Sequence, residues 1–324
     1  MSNKTYVTAE EGAMLSFGYD YKQCFHHESS QPKTLPEYTI VKQFVKQSEY
    51  DKQVSLEVLK FLYQFTFATH DQLVRMLEMK GIDPSGLDDL IVQMLKERKM
   101  NSFWLNQFVQ EGNAPEDAFV IYCMDFGAIA ILSHFSSSDC IAWWTTDCIR
   151  STELIQKYLT TVMFYLGLAE VRGDSLRYFK PIFDVTIGHR NLRFSASFEV
   201  MSGFTGHPFI LESVRSYDLP INWQDKIDSK IVPFSCQEKH WSKYFSNTEP
   251  VYLLLCENEE QALEAADLFW RRTEKENFRL VTDDQVKKGL ENAHFLKYVP
   301  NPNPEKMGTL QKVKASLLSG TPTT

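Results

Sequence analysis

The sequence predicts an α+β fold with two domains, an N-terminal winged helix-turn-helix and a C-terminal α/β domain built on a mixed sheet. Between residues 51 and 125, three amphipathic helical segments are followed by two strand-like runs. From Asp174 onward the apolar residues repeat with period two, and the run PVYLLLC is typical of a strand buried on both faces. The length of 324 residues fits two domains of ordinary size.

The three helices of the first domain each have a local signal. Apolar residues at helical spacing predict the first over VSLEVLKFLYQF. The second follows a capping box between Thr69 and Gln72 and ends at Gly81. The third begins near Pro84 and carries an apolar stripe, which consists of Leu87, Leu90, Ile91, Met94 and Leu95. The strand-like runs NSFWLNQF and DAFVIYCM complete a winged helix over residues 51–135.

Composition sets the remaining boundaries. Residues 1–50 lack a clear period and are predicted to form an arm, residues 136–173 a helical connector, and residues 301–324, rich in Pro, Gly and Thr, a flexible tail. Residues 174–300 are predicted to form the α/β domain. Its strands are expected at LRYFKPIFDVTI, LRFSASFEV, PFILESVRSY, PVYLLLC and FRLVT.

Charge, cysteine usage and hydropathy narrow the class of protein. A net charge of −8 argues against bulk electrostatic binding of nucleic acid. The six cysteines are scattered, so reduced thiols and a cytoplasmic location are expected. No apolar run approaches the ~20 residues of a transmembrane helix, and no membrane partner is expected.

The stretch FILESVRSYD contains the sharpest catalytic candidate, Glu212. In metal-dependent nucleases, two acids on neighbouring strands bind Mg²⁺, and a lysine two residues after the second acid orients the attacking water. Here Asp184, Glu199 and Glu212 are the candidate ligands, but Val214 stands at the lysine position. Arg215 is the nearest cation, and strand alternation directs it to the opposite face unless a bulge shifts the register.

A second interpretation makes Glu212 a structural residue. A buried acid needs a partner, and Arg193 and Arg215 are close in sequence. We favour this interpretation because the lysine position is apolar. The sequence therefore predicts no confident catalytic or metal-binding residue and no cofactor, with Mg²⁺ required only if the protein is a nuclease.

The third helix is the expected contact surface for DNA or for a protein partner. Its first turn is acidic and its basic residues lie at the far end; the candidate contact residues are Ser85, Asp88, Asp89, Lys96, Arg98 and Lys99. Over residues 51–117, seven basic and eleven acidic side chains give a net charge of −4. This balance predicts weak DNA binding and favours a protein partner. DNA stays an alternative, since a homodimer could assemble a basic groove.

Five stretches carry a resemblance to a known family: ATHDQLVRML, LDDLIVQMLKERKM, VIYCMDFGAIAIL, FILESVRSYD and PVYLLLCENEEQALEAADLF. Together, over roughly residues 51–270, the chain resembles the replication–relaxation family of plasmids and integrative elements. The resemblance implies a winged helix, a degenerate restriction endonuclease-like domain, and a role in DNA processing or conjugation. Because Glu212 lacks the following lysine, we expect a non-catalytic accessory or regulatory protein. A protein-interaction module and a Mg²⁺-dependent nuclease or relaxase are the alternatives.

Overall fold

The computed structural model describes residues 21–26, 36–107, 120–136, 143–235, 238–245, 248–290 and 294–314. The chain divides into two compact units, Met1–Val162 and Met163–Thr324. Helix α6 (Thr152–Arg172) contributes residues to both units. Within the described residues, no helix combines the length and the apolar composition that a bilayer crossing requires.

The N-terminal unit is mainly helical and contains a small antiparallel sheet. Its other helices are α1 (Glu37–Val45), α2 (Glu49–Phe65), α3 (His70–Met79), α4 (Leu87–Lys96) and α5 (Phe126–Phe135). Its strands, in sheet order, are β1 (Tyr21–Phe25), β2 (Met100–Gln107) and β3 (Ile121–Met124). A single bridge also joins Ala68, between α2 and α3, to Tyr122 in β3.

Local signals account for the helices of this unit. The predicted capping box is confirmed, since Thr69 and Gln72 each bond the other's backbone at the start of α3. Gly81, just past α3, has a φ of 69°, a value that favours glycine. Helix α4 buries the whole predicted apolar stripe. Two elements of the predicted arm, β1 and α1, were missed, because β1 takes its conformation from pairing with β2 and α1 is too short for a clear period.

The C-terminal unit is built on a seven-stranded mixed sheet in the order β10-β9-β8-β7-β6-β5-β4. Its strands are β4 (Leu176–Ile187), β5 (Arg190–Ser202), β6 (Thr205–Ser213), β7 (Val251–Cys256), β8 (Phe278–Thr282), β9 (His294–Val299) and β10 (Thr309–Lys314). Strands β6, β7 and β8 are parallel, and the other neighbours are antiparallel. The flexible tail predicted from Asn301 is wrong for residues 309–314, because β10 completes the sheet beside β9.

Helices lie on both sides of this sheet. After β6, α7 (Ile221–Lys226) continues through a π-helical turn (Ile227–Ile231) into α8 (Val232–Ser235). The remaining helices are α9 (Glu238–Trp241), α10 (Glu259–Thr273) and α11 (Asp283–Lys287). We call the side where α7, α8 and α10 pack in the main core the α10 face. The opposite side is the α6 face, where Phe164 of α6 packs on Phe179 and Phe198.

Strands β4 and β5 exchange faces part-way along their length. Phe198 packs with Phe164 on the α6 face, but Phe194 packs with Phe234 of α8 on the α10 face. Four residues separate the two phenylalanines, so regular alternation would have put them on one face. The irregularity lies at Ser195 and at Ile182 on β4, whose φ of 56° is unusual for a β-branched residue. Simple alternation along β5 therefore does not hold across Ser195.

We expect Phe198→Ala to lower the free energy of unfolding by about 3–5 kcal/mol, because it removes a ring from a close-packed core. Phe198 is 1% exposed and stacks on Phe209 at 4.8 Å. Phe204, at the tip of the next hairpin, is fully exposed and provides the matched control. Urea unfolding followed by far-ultraviolet circular dichroism measures both variants. Equal destabilisation by Phe204→Ala would contradict this description of the core.

Candidate functional site around Glu212

Glu212 is buried near the carboxyl end of β6, between β5 and β7. Its side chain is 4% exposed and lies on the α10 face, as do Ile210 and Val214. The amine of Lys230 donates to Glu212 Oε1 at 2.7 Å. Lys230 belongs to the π-helical turn that follows α7. The acid and its cation are thus 18 residues apart and come from a strand and a helix that pack together.

The Lys230 amine is held by more than Glu212. It donates to the carbonyl oxygen of Arg193 at 2.9 Å and lies 4.8 Å from the ring centroid of Phe194. Burial lowers the pKa of Lys230, and the charge of Glu212 opposes this shift. The ammonium group therefore has a carboxylate, a carbonyl and an aromatic face around it, which together replace part of its hydration.

The second carboxylate oxygen of Glu212 faces the irregular point of β5. The backbone N–H of Ser195 lies 3.4 Å from Oε2, a long hydrogen bond. Ser195 Oγ in turn accepts from the backbone N–H of Ser213 at 3.0 Å. The face exchange at Ser195 turns its N–H away from the regular strand ladder and towards the carboxylate. Both oxygens of Glu212 consequently have donors.

Arg215 belongs to a separate buried pair and is not the partner of Glu212. Its guanidinium donates to both oxygens of Asp283, at 2.5 and 3.1 Å, and its Nε donates to Ser213 Oγ at 2.9 Å. Burial raises the pKa of Asp283 to about 6, although Arg215 opposes the shift. The prediction that Arg215 or Arg193 pairs with Glu212 is wrong, because Lys230 fills that position and Arg193 bonds Asp184.

The carboxyl ends of the parallel strands carry further acids, and each is bonded. Glu257, after β7, accepts from the backbone and hydroxyl of Ser216 at 3.0 and 3.3 Å. Asp218 accepts from the backbone N–H of Arg215 at 3.0 Å and pairs with Lys226. Ligands of α/β proteins commonly bind at this edge of the sheet. In this protein, Glu257 and Asp218 join the loops at this edge of the sheet through hydrogen bonds and an ion pair.

The three predicted metal ligands do not converge. Asp184 is half exposed, bonds Arg193 at 2.8 and 3.0 Å, and points away from Phe183 and therefore away from the α10 face. Glu199 pairs with Arg177 at 3.1 Å. Glu199 lies opposite Pro208, four residues before Glu212, which is about 13 Å along the strand. Across the described ranges, no group of three His, Cys, Asp or Glu side chains is arranged to hold a metal ion.

This arrangement is unsuited to metal-assisted hydrolysis. Mg²⁺ needs several oxygen ligands around one point. Here the only buried candidate carboxylate is neutralised by an ammonium group, and Val214, at the expected lysine position, is fully buried in the apolar core. The site can hold two strands and a helix together, but it offers no open carboxylate pair.

The candidate contact residues around α4 fall into two groups. Ser85, Asp88, Asp89 and Lys96 are exposed, and Asp88 also lies 2.7 Å from the imidazole of His70. Arg98 is bound to Asp125 at 2.7 and 3.2 Å. Lys99 is 1% exposed and pairs with Glu97. The prediction that Lys99 contacts DNA or a partner is wrong, because Lys99 is buried where α4 leads into β2. Arg98 forms its ion pair with Asp125 of the same chain.

Lys230, the counter-ion of Glu212, is the residue of this site that the sequence analysis missed. A usable signal was present, because Trp223, Ile227 and Ile231 form an apolar stripe that Lys230 adjoins. A lysine beside such a stripe, downstream of a buried acid, is a candidate counter-ion. The nuclease pattern pointed to position 214 instead, because in that pattern the acid and the lysine lie on the same strand.

Comparison with known proteins adds no further constraint on this site. No family model matches the sequence, and no curated protein matches it. The function is consequently inferred from the geometry of each unit and from the resemblance described above.

We expect Glu212→Gln to lower the free energy of unfolding by about 3–5 kcal/mol, because it leaves the Lys230 ammonium buried without a counter-charge. The double variant Glu212→Gln/Lys230→Met should recover much of that loss. Asp184→Asn removes an acid from an exposed pair and should cost at most about 1 kcal/mol. Urea unfolding followed by tryptophan fluorescence makes the comparison, and a Glu212→Gln cost no larger than that of Asp184→Asn would rule out the buried pair.

Proposed function

We propose that this chain is a non-catalytic accessory protein. Its N-terminal unit acts as a winged helix that docks a protein partner. Its C-terminal unit serves as a restriction endonuclease-like scaffold without nuclease activity. The observation that carries the proposal is the use of charge: Lys230, Arg215, Arg98 and Lys99 are each bound to an acid of the same chain.

The order of elements supports a winged helix. Helices α2, α3 and α4 are followed by the antiparallel pair β2 and β3, and a short bridge at Ala68 ties the α2–α3 connection to β3. Three helices and a hairpin in this order are the winged-helix arrangement, in which the third helix contacts the partner. In the proposed winged helix, α4 is this third helix.

The surface of α4 supports a protein partner in preference to duplex DNA. Asp88 and Asp89 are exposed in its first turn, where they would face phosphates. Val92, on the next turn, is 41% exposed. The N-terminal unit also presents other exposed large apolar side chains, namely Tyr38, Val45, Phe135, Trp144 and Ile149. Tyrosine and tryptophan, here Tyr38 and Trp144, are typical anchors of protein interfaces.

The order of the C-terminal elements supports the scaffold. Helix α6 leads into the antiparallel strands β4, β5 and β6, and helices then connect to β7, which is parallel to β6. This mixed arrangement is compatible with a restriction endonuclease-like core in which Glu212 lies on the third strand. The ion pair with Lys230 takes the place that a metal site would need.

The resemblance to the replication–relaxation family supplies the second candidate function, a role in DNA processing or regulation for a plasmid or conjugative element. In that setting the N-terminal unit would bring a partner protein to the element's DNA. A winged helix followed by a nuclease-like sheet is the order of domains in that family, and this order favours a role in DNA processing. The acidic start of α4 argues that the N-terminal unit does not itself hold the DNA.

We expect the purified full-length protein to leave supercoiled plasmid DNA intact in the presence of Mg²⁺ or Mn²⁺. The reason is that Glu212 is neutralised by Lys230, and Asp184 and Glu199 lie elsewhere. Agarose gel electrophoresis over several hours measures nicking and linearisation. Metal-dependent cleavage that disappears in Glu212→Gln, with an unchanged circular dichroism spectrum, would refute the non-catalytic assignment.

We expect a photo-crosslinking amino acid at Val92 to form a defined adduct with a protein when the full chain is irradiated in its native cells. The doubly substituted Asp88→Lys/Asp89→Lys chain should lose the adduct, because the acidic turn flanks Val92. A crosslinker at Ile221, which is 71% exposed in the other unit, is the control. Crosslinking of position 92 to DNA would reject the protein-docking proposal.

A further inference from the structure

Two buried thiols meet in the N-terminal unit. Cys123 belongs to β3, and Cys148 is the last residue of a short 3-10 turn (Thr145–Cys148) that precedes α6. The Cys148 thiol donates to the carbonyl oxygen of Met124 at 3.8 Å, which places its sulfur against β3. The side chains of Cys123 and Cys148 are also hydrogen-bonded to each other. The whole of α5 separates them in sequence, so the fold brings the two sulfurs together.

Gln23 of β1 holds the turn that carries Cys148. Its side-chain amide donates to the carbonyl oxygen of Cys148 at 3.0 Å and accepts from the backbone N–H of Arg150 at 3.0 Å. Within the turn, the Asp147 carboxylate accepts from the backbone N–H of Trp144 at 2.8 Å. The position of Cys148 beside Cys123 is consequently fixed by contacts with both β1 and β3.

The two sulfurs differ in their access to solvent. Cys123 is fully buried, whereas Cys148 is 4% exposed and is followed by the half-exposed Ile149. Burial, and after it the hydrogen bond with Cys148, raises the pKa of Cys123, so this thiol stays protonated. Because Cys148 donates its own proton to Met124, its sulfur accepts from the Cys123 S–H. An oxidant therefore reaches Cys148 first, and the sulfur of Cys123 already points at it.

We propose that Cys123 and Cys148 are a redox-active pair, which hydrogen peroxide converts into a disulfide. The sulfur of Cys148 attacks one peroxide oxygen, the O–O bond breaks, and the products are a sulfenic acid on Cys148 and one water. The sulfur of Cys123 then attacks the Cys148 sulfur, and the S–O bond breaks. The hydroxide that leaves takes up the Cys123 proton as a second water. Two thiols are thus oxidised to one disulfide, and one peroxide is reduced to two waters.

The disulfide closes a covalent loop that contains α5 and the turn before α6. A closed loop restricts the unfolded chain, so the oxidised unit is more stable than the reduced one. The turn also carries Trp144, which is exposed, and Ile149 follows it directly. Oxidation therefore fixes these two apolar side chains to β3 by a covalent bond, in addition to the hydrogen bonds that hold them in the reduced state.

This inference goes beyond the docking function, since it concerns covalent chemistry at a different site of the N-terminal unit. The disulfide can form whether or not α4 docks a partner. Its failure would leave the proposed role of α4 intact, and a failure to crosslink a protein at Val92 would not affect the thiol pair.

Peptide mapping of the full-length protein tests the proposal. The reduced chain is treated with hydrogen peroxide, the remaining thiols are alkylated, and cleavage on the amino side of aspartate puts Cys123, Cys140 and Cys148 on separate peptides. We expect mass spectrometry to find the Cys123 and Cys148 peptides joined, and dithiothreitol to separate them. The matched control is Cys140→Ser, which removes the cysteine between them in sequence and should leave the crosslink intact. Recovery of Cys123 and Cys148 as alkylated thiols, or linkage of either to Cys140, overturns the proposal.

A cyclic dione that labels sulfenic acids tests the order of the two steps. In Cys123→Ala the sulfenic acid on Cys148 has no thiol to resolve it, so peroxide should leave Cys148 labelled. In Cys148→Ala the buried Cys123 should stay unlabelled. Labelling of Cys123 in Cys148→Ala, with Cys148 unlabelled in Cys123→Ala, would overturn the assignment of Cys148 as the cysteine that reacts first.

The parent chain gives a readout that does not depend on the folding of a variant. Peroxide should raise the thermal midpoint of the N-terminal unit by about 5–10 °C, and dithiothreitol should restore the original value. Differential scanning calorimetry of the full-length protein measures both states. An oxidised midpoint equal to or below the reduced one would overturn the proposal, since a disulfide between two sulfurs already in contact stabilises the fold.

Discussion

The ion pair between Glu212 and Lys230 is the interaction on which the C-terminal unit depends. A carboxylate inside a sheet is stable only when its charge and both oxygens are satisfied, and an unpaired one would cost several kcal/mol. The π-helical turn brings the Lys230 amine to Glu212, and the irregular point of β5 brings the Ser195 N–H. The pair thereby fixes the position of α7 and α8 against β5 and β6, since the amine also binds the Arg193 carbonyl.

The same interaction bears on metal binding at Glu212. The Lys230 ammonium group neutralises the negative charge that would attract Mg²⁺ to this carboxylate. The second buried pair, Arg215 with Asp283, secures the loops at the carboxyl ends of the parallel strands. The surface that the proposed function uses lies in the other unit, where α4 presents the exposed acids Asp88 and Asp89.

The elements that the sequence predicted well are those with local causes. The capping box of α3, the apolar stripe of α4 and the continuous apolar run of β7 each depend on residues close together in the chain. The features that were missed depend on residues far apart in the chain. The pairing of Glu212 with Lys230 requires the packing of a helix on a strand, β10 is ordered by β9, and the face exchange at Ser195 interrupts the alternation on which the ligand prediction relied.

A crystal structure of the protein grown with Mn²⁺ tests the central claim most directly, because anomalous scattering locates the metal without reference to activity. We predict no anomalous peak beside Glu212, and a Lys230 amine within hydrogen-bonding distance of the Glu212 carboxylate. An Mn²⁺ ion coordinated by Glu212, with the Lys230 side chain displaced, would contradict the account and would make Glu212 a metal ligand.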